Sequence, residues 1–187
     1  MDFTLSDKEK DILLKTARER IRTDIEGRKP VYPEATPPLN EICGAFVTLH
    51  KQGMLRGCIG NIVGRHPLIE TIIDMAHASA FEDPRFPPLK NEELDLVEIE
   101  ISVLSPLRRI KDVEEIETGK HGIYMQRGLS GGVLLPQVAI EQGWDRLTFL
   151  QHTCRKAGLP PDAWKDPDTR IEIFSAVIFR ETDPQPG

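Results

Sequence analysis

Two periodicities run along the chain. Leu14, Ala17, Ile21 and Ile25 recur near the helical period. Ahead of them, Ser6-Asp7-Lys8-Glu9 has the form of a capping box, a serine N-cap with a glutamate three positions on. The spacing predicts a helix over 6–26, stopped at Gly27. Leu68, Ile72, Met75, Ala76 and Ser79 form a second helical stripe that reaches about Phe81. His66-Pro67 opens it, with the proline suited to the first turn. A third helix is expected over 145–156, closed by Gly158. The other period is two. Val97, Ile99, Ile101 and Val103 alternate with Glu98, Glu100, Ser102 and Leu104 until Pro106 ends the strand. Segments 43–50 and 54–59 read as a hairpin over 43–60, joined at Lys51-Gln52-Gly53. Its register is open, because the loop is two or three residues long. Strands at 122–127 and 133–135, around a turn at 128–132, and a last strand at 170–180 bring the count to about six.

Prolines punctuate the rest. Pro30, Pro33, Pro37 and Pro38 keep 28–40 out of regular structure. Pro84, Pro87 and Pro88 stiffen the segment Glu82-Asp83-Pro84-Arg85-Phe86-Pro87-Pro88-Leu89, so Asp83 and Arg85 stand on a rigid support. The charged stretch 110–118 reads as a turn with a short helix, and the tail 182–187 as frayed. Three main helices mixed with hairpins, and no strict βαβ rhythm, predict an α+β fold: a mostly antiparallel mixed sheet flanked by helices. A length of 187 residues fits one domain over 1–187.

Composition narrows the class. A hydrophobic fraction of 39% and a charged fraction of 29% are those of a globular chain. The formal net charge of -6 disfavours nucleic acid and anionic membrane surfaces as partners. Lys15, Arg18, Arg20, Arg22, Arg28 and Lys29 cluster near the start, but Glu19, Asp24 and Glu26 are interleaved, the pattern of a solvated helix. Cys43, Cys58 and Cys154 are sparse and odd in number, which points to a reducing compartment and a cytoplasmic setting. Met1-Asp2-Phe3-Thr4 lacks the basic and apolar regions of a signal peptide. The longest uncharged run, 128–140, falls short of the ~18 residues of a membrane span.

Candidate chemistry centres on Leu55-Arg56-Gly57-Cys58-Ile59-Gly60. Strand alternation puts Met54, Arg56 and Cys58 on one face, and a cation near a thiol lowers its pKa. Gly57 and Gly60 remove side-chain bulk, so either a ligand or another backbone can approach. Cys58 is either a reacting thiol or a small packing residue. Arg56 and Arg85 either hold one small anionic ligand together or pair with local acids such as Asp83 and Glu100. His121 is a general-base candidate or a polar strand-edge residue. Gln137, after Pro136, offers an amide to a cleft or to local backbone. The five histidines show no metal-ligand spacing, and there is no phosphate-loop or nucleophile-elbow motif.

The hexapeptide resembles the hallmark of the AMME-syndrome candidate protein family (the AMMECR domain, protein A of the AmmeMemoRadiSam set). The likeness extends through Gly44-Ala45-Phe46-Val47-Thr48-Leu49, the proline-rich 83–89 segment, Ile101-Ser102-Val103-Leu104-Ser105-Pro106, Leu135-Pro136-Gln137-Val138-Ala139 and Lys156-Ala157-Gly158-Leu159. It implies an α+β domain with a larger and a smaller lobe and a cleft near the hexapeptide. It also implies Memo-like and radical-SAM proteins as partners. It implies no reaction and no cofactor, so the motif carries positions only: Arg56, Cys58, Asp83 and Arg85. The rival readings are an enzyme, or enzyme component, acting on a small molecule or protein side chain, and a non-catalytic docking module.

Overall fold

Ser6 and Glu9 cap each other at the start of α1 (Asp7–Glu26): the Ser6 hydroxyl accepts from the Glu9 N–H, and the Glu9 carboxylate accepts from the Ser6 N–H. Gly27 ends the helix in the left-handed region, at φ 66. The structure, a computed structural model, describes residues 4–183. The further helices are α2 (Leu68–Phe81), α3 (Pro136–Gln142) and α4 (Arg146–Lys156). The strands are β1 (Gly44–Lys51), β2 (Met54–Asn61), β3 (Val97–Leu104), β4 (Arg108–Arg109), β5 (His121–Arg127), β6 (Ser130–Leu134) and β7 (Arg170–Arg180). The fold is α+β, with every strand pair of known register antiparallel.

The described residues cluster into two compact units. The larger takes 4–104 and 177–183, the smaller 105–176, so β7 supplies residues to both.

In the larger unit β1 lies between β2 and β3, and the end of β7 lies beside β3. The register separates two faces. Leu49 stands opposite Gly57 and Ile99, and Val47 opposite Ile59 and Ile101. Val47, Leu49, Ile99 and Ile101 are fully buried with Leu13, Ala17 and Ile21 of α1 and Leu68 and Ile72 of α2. The other face carries Cys58, Thr48 and Glu100 in one cross-strand row. Gly57 is where α2 comes closest to the sheet. A Cβ there would lie 2.1 Å from the Ser79 carbonyl oxygen.

In the smaller unit β7 runs between β4 and β5, and β6 pairs with β5. Ile123, Met125, Ile171 and Ile173 pack on Phe149, Leu150 and Cys154 of α4. Gly132 lets β6 meet the end of α4, since a Cβ would lie 2.4 Å from the Ala157 nitrogen.

Several details differ from the pattern-based reading. Among the described residues there are four α-helices rather than three, because 136–142 is helical: Pro136 occupies the first turn and Gly143 is the left-handed cap. The β5–β6 turn is tighter than expected, with Arg127 opposite Ser130. The proline-rich connection contains one 3-10 turn, Pro37–Asn40. Of the tail read as frayed, Asp183 accepts a hydrogen bond from the Arg180 N–H at 2.7 Å, and Thr182 donates to Glu98. Residues 184–187, like 1–3, lie outside the described residues.

Gly57→Ala forces a methyl group against a helix carbonyl that has no free path away. We expect a loss of about 2–4 kcal/mol of unfolding free energy in urea titration. Gly53→Ala probes instead the left-handed turn at φ 75, where no atom lies within 4 Å, and we expect a loss of only about 1 kcal/mol.

Candidate functional site

The site is built on β2, and its geometry is set by one irregularity. Thr48 faces Cys58 and Leu49 faces Gly57, but His50 faces Leu55, so Arg56 is the extra residue of a β-bulge. The bulge breaks the strict alternation expected of this strand. Arg56 makes its side-chain hydrogen bonds to Glu93. It is buried, and it meets Glu93 through Nε at 3.1 Å and Nη2 at 2.9 Å. Lys51, which alternates with Leu49 on the helix-facing side, reaches the same carboxylate at 2.9 Å. Hydrogen bonds from Arg56, then from Lys51, pull the Glu93 carboxyl down to about 2 from its ordinary 4.5.

Cys58 is half-buried. The Thr48 hydroxyl donates to its sulfur at 3.2 Å. Beyond Thr48 in the row, Glu100 is buried and accepts from Arg180 Nε at 2.6 Å, with His50 Nε2 at 3.7 Å. This sheet face is therefore polar, unlike the aliphatic face behind it.

The backbone of Cys58 is held from outside the sheet. Its N–H donates to Asp83 Oδ2 at 2.9 Å, and its carbonyl accepts from Arg85 Nη2 at 3.2 Å. Asp83 also accepts from the Arg85 N–H at 3.1 Å, Nε at 2.9 Å and Nη2 at 2.7 Å. These bonds, those from the Arg85 side chain foremost, hold the Asp83 carboxyl well below the usual carboxylate range, and Asp83 in turn raises the pKa of Arg85. The Arg85 side chain remains 54% exposed, and its Nη1 makes no hydrogen bond among the described residues. Arg56 and Arg85 each have their own carboxylate, and their guanidinium carbons lie 5.9 and 5.6 Å from the Phe86 ring centroid. The partner of Arg56 is Glu93, a residue the sequence reading did not single out, and Thr48 was missed as well. Only the cross-strand register reveals Thr48.

The glycines serve the chain itself. The Ser79 carbonyl occupies the space beside Gly57, and the Phe46 ring, 2.3 Å from a would-be Cβ, occupies that beside Gly60. Of the two approaches open in the sequence, neighbouring protein atoms take both.

His121 and Gln137 belong to the smaller unit. His121 Nδ1 accepts from the Glu117 N–H at 3.1 Å, and burial pushes the imidazole pKa down. A neutral ring with Nδ1 so engaged carries its proton on Nε2, making it a donor rather than a base. Gln137 lies in the first turn of α3, with its buried Oε1 unpartnered. Among the described residues, no three metal-ligating side chains converge.

The family model AMMECR1 matches residues 14–179. The chain belongs to the AMMECR1 family. A protein from Thermococcus gammatolerans is 44% identical, over 98% of this chain and 95% of its own length. Protein MK0488 of Methanopyrus kandleri is 42% identical, over 99% of this chain and 94% of its own. Among solved structures, the crystal structure of uncharacterized protein PH0010 from Pyrococcus horikoshii superposes with a TM-score of 0.88 at 41% identity, covering 99% of this chain and 97% of that one. The Pyrococcus horikoshii protein shares this fold.

Two acid-linked effects follow. Glu93 and Asp83 both have depressed pKa values in the folded chain. Their contribution is therefore complete above the unfolded carboxylate range and is lost as pH falls through the folded values. Unfolding free energy should drop between pH 4.5 and about 2, and Glu93→Gln should flatten that drop in urea titrations across the range. Asp83→Asn removes the charge that gathers Cys58 and Arg85. It should cost about 1–3 kcal/mol at pH 7, because Arg85 is half solvated.

Proposed function

We propose that the chain is a cytoplasmic enzyme, or enzyme component, in which Cys58 is the reacting thiol toward a small molecule or a protein side chain. The observation that carries this reading is the Thr48 hydroxyl aimed at a half-buried sulfur at 3.2 Å, on a polar sheet face. The thiolate is the nucleophile of a reacting cysteine. Arg85 supplies the nearby cation in place of Arg56. Its free Nη1 suits an anionic group on the substrate. Cys43 and Cys154 offer the contrast: both are buried, and burial raises both thiol pKa values. That all three cysteines are free supports a reducing, cytoplasmic setting, and among the described residues no helix is long and apolar enough to cross a membrane.

The test is alkylation by iodoacetamide near neutral pH, read residue by residue by mass spectrometry. Cys58 should react first and faster than free cysteine, and Thr48→Val should slow it several-fold without moving the urea midpoint by much. Reaction at Cys58 no faster than at Cys43 or Cys154 would end this reading.

A second reading, a docking module for Memo-like or radical-SAM proteins, rests on a different feature. Met54 and Leu55, at the start of the edge strand β2, are 68% and 41% exposed. Large apolar side chains on a sheet edge are an interaction liability unless a partner covers them. Here co-purification from cells holding both partners should survive Cys58→Ser and be lost with Leu55→Glu. The opposite pattern would favour the thiol.

A further inference from the structure

The second cluster of charge that the Cys58 row does not use lies in the smaller unit. The segment Arg109–Val113 and the loop from Trp164 to Ile171 enclose a groove of about 870 Å³. That is within the usual range for small-molecule pockets. Its floor is apolar: Ile110 and Ile171 are buried, and Trp164 packs against the same core. Its rim is basic. Arg109, Lys111 and Lys165 line it, all exposed, and none makes an ion pair or side-chain hydrogen bond among the described residues. Lys165 stands over the Trp164 ring at 5.3 Å.

The acids in the groove are already engaged. Asp166 accepts from Arg127 at 2.9 Å and from the Asp168 N–H at 2.9 Å, and Asp112 accepts from the Glu114 N–H at 2.9 Å. In a chain of net charge -6, three unanswered cations on one rim are out of keeping with the whole. Thr169 adds an independent pointer. It is 8% exposed, its N–H donates to the Asp166 carbonyl, and its buried hydroxyl has no partner among the described residues. A buried hydroxyl without a partner costs free energy that a ligand atom would recover.

We infer that this groove binds a phosphorylated small molecule with an apolar or aromatic body. The phosphate meets Arg109, Lys111 and Lys165, the body lies on Ile110, Ile171 and Trp164, and a polar atom reaches the Thr169 hydroxyl. Guanidinium and ammonium groups together suit phosphate oxygens, the first by forked donors and the second as a point charge. The apolar floor distinguishes the occupant from inorganic phosphate. The overall acidity of the chain argues against a polyanion such as RNA, which would meet repulsion beyond the rim.

The experiment is calorimetric titration of the full chain with ADP, phenyl phosphate and inorganic phosphate at low salt. ADP or phenyl phosphate should bind, more tightly than inorganic phosphate, and the affinity should fall as salt rises. Lys111→Glu should weaken binding about tenfold, while Lys8→Glu, the same charge change on α1, should leave it unaltered. Thr169→Val removes a hydroxyl that has no protein partner. It should weaken binding a few-fold while leaving the melting temperature unchanged or higher. Failure of both organic phosphates to bind at millimolar concentration would overturn the assignment. So would equal effects of Lys111→Glu and Lys8→Glu, or displacement of ADP by a tighter-binding RNA oligonucleotide.

Discussion

One carboxylate organises the larger unit. Asp83 is buried and accepts four hydrogen bonds, three from Arg85 and one from the Cys58 N–H. Because β2 is an edge strand, the outward N–H and carbonyl of Cys58 have no ladder partner. Asp83 accepts from the first and Arg85 donates to the second, so two side chains two residues apart stand in for a neighbouring strand. This seals the edge where an open strand invites pairing with another chain. It also fixes the Cys58 backbone to a proline-stiffened loop.

Close approach and the bulge complete the arrangement. Gly57 allows the α2 backbone to contact the sheet, which buries the aliphatic face without a side chain between. The extra residue in β2 is Arg56, which pairs with Glu93. The two arginines of the motif thus have separate duties. One forms a buried ion pair beneath the hairpin, and the other stays solvated beside the sulfur. A buried pair of this kind is costly to break one partner at a time, which makes Glu93 as much a part of the hairpin as Arg56.

The two units offer different chemistry. On the Cys58 face the charges are answered: Glu100 by Arg180, Asp83 by Arg85. The sulfur and the Arg85 Nη1 are among the groups left over there. In the groove of the smaller unit Asp166 is paired with Arg127 and Asp112 accepts a backbone N–H, while Arg109, Lys111 and Lys165 form no ion pair among the described residues.

Local pattern determined a good deal. The capping box, the alternation from Val97 to Val103 and the strand ending at Arg180 are all written in consecutive residues, because caps and pleats depend on neighbours a few positions away. The family was likewise legible in the hexapeptide and its companions. The short helix at 136–142 was marked by Pro136 and Gly143, but seven residues are too few for a periodic stripe to announce it. Tertiary structure decided the rest. A bulge depends on how two strands count against each other, so no inspection of β2 alone reveals one at Arg56. Thr48 lies ten positions from Cys58 and Glu93 thirty-seven from Arg56. Hydrogen bonds over such separations are settled by register and packing, and the sequence alone leaves both open.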